Sequence, residues 1–153
     1  MIPVGIVVLC LVFLAGWMQF HDYESSTLAT TRTVVDATGT EIKIPTHPKR
    51  VVILNIANLD MYYAVGGEVV GKPKSAYYSK ELMAATADVP SIGGLHSPSV
   101  EAIIGMHPDL VIGVNVPFNT NLREMLGQAN IPLYINNLNT YEDVVNTLRF
   151  FGE

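Results

Sequence analysis

Amides, one imidazole and a pair of phenols mark where this sequence could do chemistry. Asn55 and Asn58 follow the apolar run VVIL, Asn115 follows LVIGV, and a third asparagine group lies in residues 136–139 after IPLYI. A carboxamide carries both donors and an acceptor, so amides gathered at one place would hold a polar ligand in a fixed orientation. Turn and helix-cap chemistry uses the same residue type, and both uses stay open. His96, in SIGGLHSPS, offers an imidazole that binds iron when neutral, although a lone loop histidine needs no ligand. Tyr77 and Tyr78, with Lys72, Lys74 and Lys80, form a small basic and aromatic stretch. Such a stretch would stack on a flat ligand and draw an anion, or simply face water. Glu101, in SPSVEA, falls in the first turn of a predicted helix, where free N–H groups and the helix dipole favour a carboxylate.

Several chemistries are missing. No GxGxxG follows a strand, and there is no Walker A loop and no GxSxG elbow. Glu142 and Asp143 are adjacent carboxylates, but they sit at a helix start rather than in an apolar pocket that would raise a pKa. No catalytic residue is therefore assigned. His21, His47 and His107 have no metal-ligand spacing among themselves or with a carboxylate, so no metal site is predicted. Cys10 is the single cysteine, which excludes intrachain disulfides and CxxC redox chemistry. The formal charge is −5, from 14 acidic and 9 basic residues with no Lys/Arg cluster, so nucleic acid is not an expected partner.

Elements must position those residues, and the composition allows them. With 153 residues, 49% hydrophobic and 15% charged, the chain buries one core and has room for one domain. TVVDATGTEIKI, residues 33–44, alternates around an Asp-Gly turn and predicts a hairpin. VVIL and LVIGV, residues 51–54 and 110–114, are β-branched runs of the kind covered on both faces. Further strands are predicted at 68–71 and 131–135, and helices at 59–65, 98–106, 121–126 and 141–151. Asn58 is the expected cap of the first helix and Gly66-Gly67 its exit, Gly127 is expected to stop the third, and Thr140 with Asp143 makes a capping box for the last. Residues 72–79 read as irregular. Tyr62 and Tyr63 are placed so that one enters the core, and Met83, Met106 and Met125 read as core filler. The alternation predicts an α/β fold: a three-layer, open, mostly parallel sheet flanked by helices, with an N-terminal β-hairpin. In such a sheet, ligands meet the loops at the carboxyl ends of the strands, which is where the asparagine groups fall.

Residues 2–18, IPVGIVVLCLVFLAGWM, carry no charge, so residues 1–20 are expected to be a signal peptide or membrane anchor. Val7, Val8 and Leu9 precede Cys10 where a lipid-attachment motif wants a small residue, so lipidation fits poorly. Residues 21–31 read as a linker and 32–153 as the folded lobe.

The landmarks, in order, are RTVVDATGTEIKIPTHPKRVVIL, VVGKP, SPSVEAIIGMHPDLVIG, IPLYINN and TYEDVVNTLRFFGE. This series resembles the periplasmic substrate-binding proteins of ABC transporters for iron-siderophores, haem or vitamin B12. The resemblance implies two α/β lobes joined by one long helix, with a metal chelate held between them and no resident cofactor. Only the amino-terminal lobe is expected here, and the carboxyl lobe is absent. It also implies that Glu101 docks to arginines of ABC permease subunits in the membrane, and that the loop bearing His96 faces the cleft. Tyr77 and Tyr78 become candidate ligands for iron or a macrocycle, but the place where haem-binding relatives carry a tyrosine is nearer Gly94, which argues against haem. The implied ligand-contacting set is Asn55, Asn58, Tyr77, Tyr78, His96 and Asn115. The chain is expected to be exported, on the periplasmic or extracellular face of the cytoplasmic membrane, and to be no enzyme. A truncated interaction module that keeps the docking face without cargo is the alternative, and a cofactor-binding enzyme domain a further one. Phe150 and Phe151 are expected to seek packing partners outside this lobe, which would leave it marginally stable or self-associating.

Overall fold

The computed structural model describes residues 30–153; the predicted signal segment or anchor, with Cys10 inside it, and residues 21–29 of the predicted linker lie outside them. In chain order the strands are β1 (Thr31–Val35), β2 (Glu41–Pro45), β3 (Val51–Ile53), β4 (Lys72–Lys74), β5 (Ser91–Gly94), β6 (Ser97–Pro98), β7 (Leu110–Val114) and β8 (Leu133–Asn136). The helices are α1 (Ile56–Ala64), α2 (Lys80–Ala85), α3 (Val100–Gly105), α4 (Pro117–Thr120), α5 (Leu122–Gln128) and α6 (Tyr141–Phe151).

The β-branched runs form the middle of the sheet. β3 lies parallel to β7, with Val51 opposite Leu110 and Ile53 opposite Ile112, and β7 lies parallel to β8, with Val114 opposite Asn136. On the other side of β3, Val70 N–H donates to the Val51 carbonyl (2.8 Å) and Ile53 N–H to the Gly71 carbonyl (3.2 Å). Gly71 thus links β3 to β4, which runs parallel to β5, and β6 returns antiparallel beside β5. A Cβ at Gly71 would run into the Met106 sulfur and crowd two branched side chains, so a larger residue would displace Met106 there. The resulting order is β6-β5-β4-β3-β7-β8, with chain connections leaving β3 to either side.

Period-two alternation sorts the core onto the two faces. Val51, Ile53, Leu110 and Ile112 point to one side, where they meet Leu59 and Tyr62 of α1, Leu82 of α2, Ile44 of the hairpin and the Phe150-Phe151 pair of α6. Val52, Leu54, Val111, Leu133 and Ile135 point to the other, against Ile103 of α3 and Leu122 and Leu126 of α5. This is the expected three-layer α/β lobe. The hairpin pairs antiparallel as predicted, Thr31 opposite Pro45. The α6 capping box is present too: Asp143 N–H donates to Thr140 Oγ1 (3.1 Å) and Thr140 N–H to Asp143 Oδ2 (2.9 Å).

Other expectations shift. α1 begins at Ile56 with Asn55 as its cap, because Asn58 is drawn into the interior by another amide. The strand expected at 68–71 forms one step later, as β4, and residues 72–79 are accordingly not all irregular. Gly127 does not stop α5; the helix continues to Gln128, and the left-handed turn falls at Asn130 (φ 57°). Met83 and Met125 are 52% and 44% exposed rather than core, since each lies on the outer face of a short helix, while Met106 is half-buried. Tyr62 is the core tyrosine of its pair. Phe150 and Phe151 find partners inside the lobe: Phe150 stacks on Tyr134 at 4.3 Å, and Phe151 meets Tyr62 edge-on at 5.3 Å.

Candidate functional site

All five strands β3, β4, β5, β7 and β8 run the same way, so their carboxyl ends share one edge of the lobe. The chain leaves β3 toward β4 on one side and returns to β7 on the other. In an open sheet the usual ligand position lies between two such connections. The β3 loop carries Asn55 and the β7 loop Asn115.

Asn55 is extended (φ −143°, ψ 156°) at the start of α1, yet its side chain caps nothing, and its Oδ1 is buried with no partner among the described residues. Asn58, one helical turn on, is fully buried. It exchanges two hydrogen bonds with Asn136 at the end of β8, Asn58 Nδ2 donating at 2.9 Å and Asn136 Nδ2 at 2.7 Å. Asn136 Nδ2 also donates to Thr147 Oγ1 of α6 at 3.0 Å. Asn58 therefore joins β8 and α6 beneath the edge, and its amide is committed to that scaffold. Asn115 lies on the accessible side, where its Nδ2 donates to Asn137 Oδ1 (3.1 Å).

The β7 loop also holds Asn119, which is fully buried and donates Nδ2 to the Val114 carbonyl (3.3 Å) while its Oδ1 has no partner among the described residues. A Cβ at Gly113 would stand 3.1 Å from that Nδ2, so the glycine in LVIGV makes room for the amide. His96, on the β5–β6 turn, meets Phe118 of α4 edge-to-face at 5.0 Å. That contact brings the β5 and β7 loops together across the edge.

Tyr77 and Tyr78 part company. Tyr77 is 84% exposed on the β4–α2 loop. Tyr78 turns inward: its hydroxyl donates to the Pro73 carbonyl, and the Lys72 ammonium lies 5.3 Å from its ring. Burial pushes the Tyr78 phenol above its ordinary pKa. Lys72 donates to the Thr86 carbonyl and to Thr86 Oγ1, so of the basic stretch Lys74, Tyr77 and Lys80 face solvent.

Glu101 is exposed in the first turn of α3. Ser99 caps that helix by accepting from Ala102 N–H (3.1 Å), and its hydroxyl donates to Glu101 Oε2 at 3.1 Å. The carboxylate is thus held in an exposed position at the start of α3, after the antiparallel β6.

Asn119, Asn136 and Phe118 were not singled out from sequence, although the loops holding them were. A polar residue ending an otherwise inward-facing strand alternation was the available signal for Asn136. The Asp36 clasp was missed entirely. Its buried carboxylate accepts from Thr38 N–H (2.9 Å), Thr38 Oγ1 (2.6 Å), Thr40 N–H (3.2 Å) and the Arg123 guanidinium. Burial alone would raise this acid, but the Thr38 hydroxyl, Arg123 and the two backbone donors outweigh it and hold the pKa below the ordinary aspartate value. Beside the clasp, a shallow cleft of about 210 Å³ lies between Val35, Tyr134, Asn137 and Asp143. A cavity of about 180 Å³ lies at the opposite edge, among Arg32, His47, Tyr62, Leu110, Phe151 and Glu153. Among the described residues no group of three His, Cys, Asp or Glu is placed to hold a metal, and no helix is long and apolar enough to cross a membrane.

Residues 51–152 match the family described as periplasmic binding protein. The chain belongs to that family. It is 39% identical over 92 residues to the probable siderophore-binding lipoprotein YfiY of Bacillus subtilis, a match covering 56% of this chain and 27% of that one. It is 37% identical over 71 residues to the iron(3+)-hydroxamate-binding protein FhuD of the same organism, covering 46% and 22%. The petrobactin-binding protein YclQ of Bacillus subtilis superposes with a TM-score of 0.69 at 22% identity, over 80% of this chain and 44% of that structure. The matches thus span about a quarter of the curated relatives and less than half of the solved structure, as expected of one lobe of a binding protein.

Proposed function

We propose that this chain is the amino-terminal lobe of the substrate-binding component of an ABC importer, and that its cargo is a ferric siderophore. The observation that carries the reading is the pair of asparagine-bearing loops at the β3/β7 divergence, in a chain of the periplasmic binding protein family. Asn55, Asn115 and the His96–Phe118 pair contribute one wall of the cargo site, Tyr77 a stacking ring beside it, and Asn58 the support beneath. The names of the two curated relatives favour a siderophore over haem or cobalamin. Glu101, exposed and oriented by Ser99, is the docking handle: a carboxylate facing a permease arginine gains a bidentate pair and fixes orientation. Residues 1–20 direct the chain out of the cytoplasm, so the lobe works on the outer side of the membrane.

A single wall encloses less of a ligand than a full cleft, so cargo binding is expected to be weak without a carboxyl-terminal lobe. The test is a tyrosine-fluorescence titration with ferric siderophores, haem and cobalamin, with and without such a lobe supplied in trans. Saturable quenching by a ferric siderophore supports the reading. Quenching by haem or cobalamin alone changes the cargo. No saturable response to any of them, with the second lobe present, replaces the reading with that of a docking module without cargo.

A further inference from the structure

The cavity at the amino edge of the sheet lies across the lobe from the asparagine loops. It is lined by Arg32 of β1, His47 of the β2–β3 loop, Leu110 at the start of β7, and Phe151 and Glu153 at the end of the chain. Its inner wall is core: Ile44, Leu110 and Ile112 are buried, and Tyr62 meets Phe151 edge-on. Its volume of about 180 Å³ exceeds the roughly 150 Å³ of an apolar protein cavity that takes up benzene, so a six-membered ring with one substituent fits.

Arg32 makes one wall polar. Its guanidinium carbon stands 4.9 Å from the Phe150 ring centroid, and its Nη1 donates to the Glu153 carboxylate. Its Nε is buried and has no acceptor among the described residues. A buried donor left unsatisfied costs stability, and an acceptor brought in from outside recovers that cost. Glu153 already matches the guanidinium charge, so a neutral carbonyl suits Nε better than a second carboxylate beside the first.

We propose that this cavity is a second binding site, for a small neutral ring compound bearing one carbonyl oxygen, such as an aromatic amide or ketone. Arg32 Nε–H donates to that oxygen, and the ring lies among Tyr62, Leu110 and Phe151. Ring edges against aromatic walls supply the remaining contact. The site is independent of the siderophore reading and lies away from the asparagine loops.

Saturation-transfer NMR titrations of the full chain with benzamide, benzene and benzoate test this. Benzamide is expected to bind about tenfold more tightly than benzene, through the bond to a charged donor. It should also bind about threefold more tightly than benzoate, which the Glu153 carboxylate opposes. Arg32→Lys keeps a cation opposite Glu153 and removes the Nε donor, so the advantage of benzamide over benzene should fall below about twofold. Glu153→Gln should raise benzoate affinity about threefold. No saturable benzamide binding, or benzene binding as tightly, overturns the site whether or not either variant folds. Tighter benzoate binding refutes the neutral class. A benzamide advantage that survives in folded Arg32→Lys places the binding elsewhere and overturns the assignment. Displacement of benzamide by a carboxyl-terminal lobe supplied in trans overturns it too, and makes the cavity a seat for that lobe.

Discussion

Replacing Asn136 by alanine isolates the scaffold beneath the site. In the folded lobe Asn136 accepts one hydrogen bond from Asn58 and donates to both Asn58 Oδ1 and Thr147 Oγ1, and all three side chains lie in buried residues. The substitution leaves the Asn58 amide without its donor and its acceptor partner at 0% exposure. A buried polar group stranded in this way costs about 1–3 kcal/mol, so Asn136→Ala should destabilise the lobe by about 2–5 kcal/mol. Removing both amides, as Asn58→Ala with Asn136→Ala, strands nothing between them. The double variant should therefore be more stable than the sum of the singles by about 1–3 kcal/mol. Urea unfolding followed by circular dichroism gives these differences, provided the slope with denaturant is unchanged. A single-variant cost below about 0.5 kcal/mol, or additive costs in the cycle, would refute the claim that the pair is satisfied and shielded from water.

Glu101→Arg, in a chain completed with a carboxyl lobe, should abolish permease-dependent uptake while chelate affinity in dialysis stays within about twofold; normal uptake would remove the docking role. Asp36 has a lowered pKa in the folded state, so its stabilising contribution is present above the ordinary carboxylate value and is lost as pH falls through the folded value. The urea midpoint should drop on acidification below about pH 4, and Asp36→Asn should flatten that limb while lowering stability at neutral pH. Tyr62, Tyr78 and Tyr134 are raised by burial, so the folded state resists their ionisation and should lose stability above about pH 10; a flat alkaline limb would contradict their burial. Leu126→Ala, at a site with 0% exposure in the second core face, should cost about 2–5 kcal/mol in the same unfolding assay.

What could be read from the sequence followed local rules. VVIL and LVIGV had to be strands covered on both faces, and Thr140 with Asp143 had to start a helix, because those signals are complete within a few residues. β5 escaped because SIGG carries one core side chain, Ile92, followed by two glycines, and its pairing with β4 is set by tertiary contact. α2 escaped for a similar reason: six residues with Leu82 as their single buried anchor give no period to detect. Asn58 shows the limit most directly. One turn from the helix start, it carries the chemistry of a cap, and its assignment to the interior depends on Asn136, 78 residues later. The loops of the candidate site were legible from the strand ends, but the sorting of their asparagines into supporting and accessible members was not.

That sorting explains why asparagine suits this edge better than a charged residue would. The positions beneath this edge are dry: Asn58, Asn119 and Asn136 are between 0% and 3% exposed. A carboxylate or ammonium there would need a partner of opposite charge, as Asp36 needs Arg123, or would lose its ionisation to burial. An amide is buried at the cost of its hydrogen bonds alone, and two amides satisfy each other reciprocally, as Asn58 and Asn136 do. The amides one step nearer solvent, Asn55 and Asn115, are then held by a floor that does not depend on pH near neutrality. Carboxylates stand instead in exposed helix first turns, where the dipole favours them and water screens them.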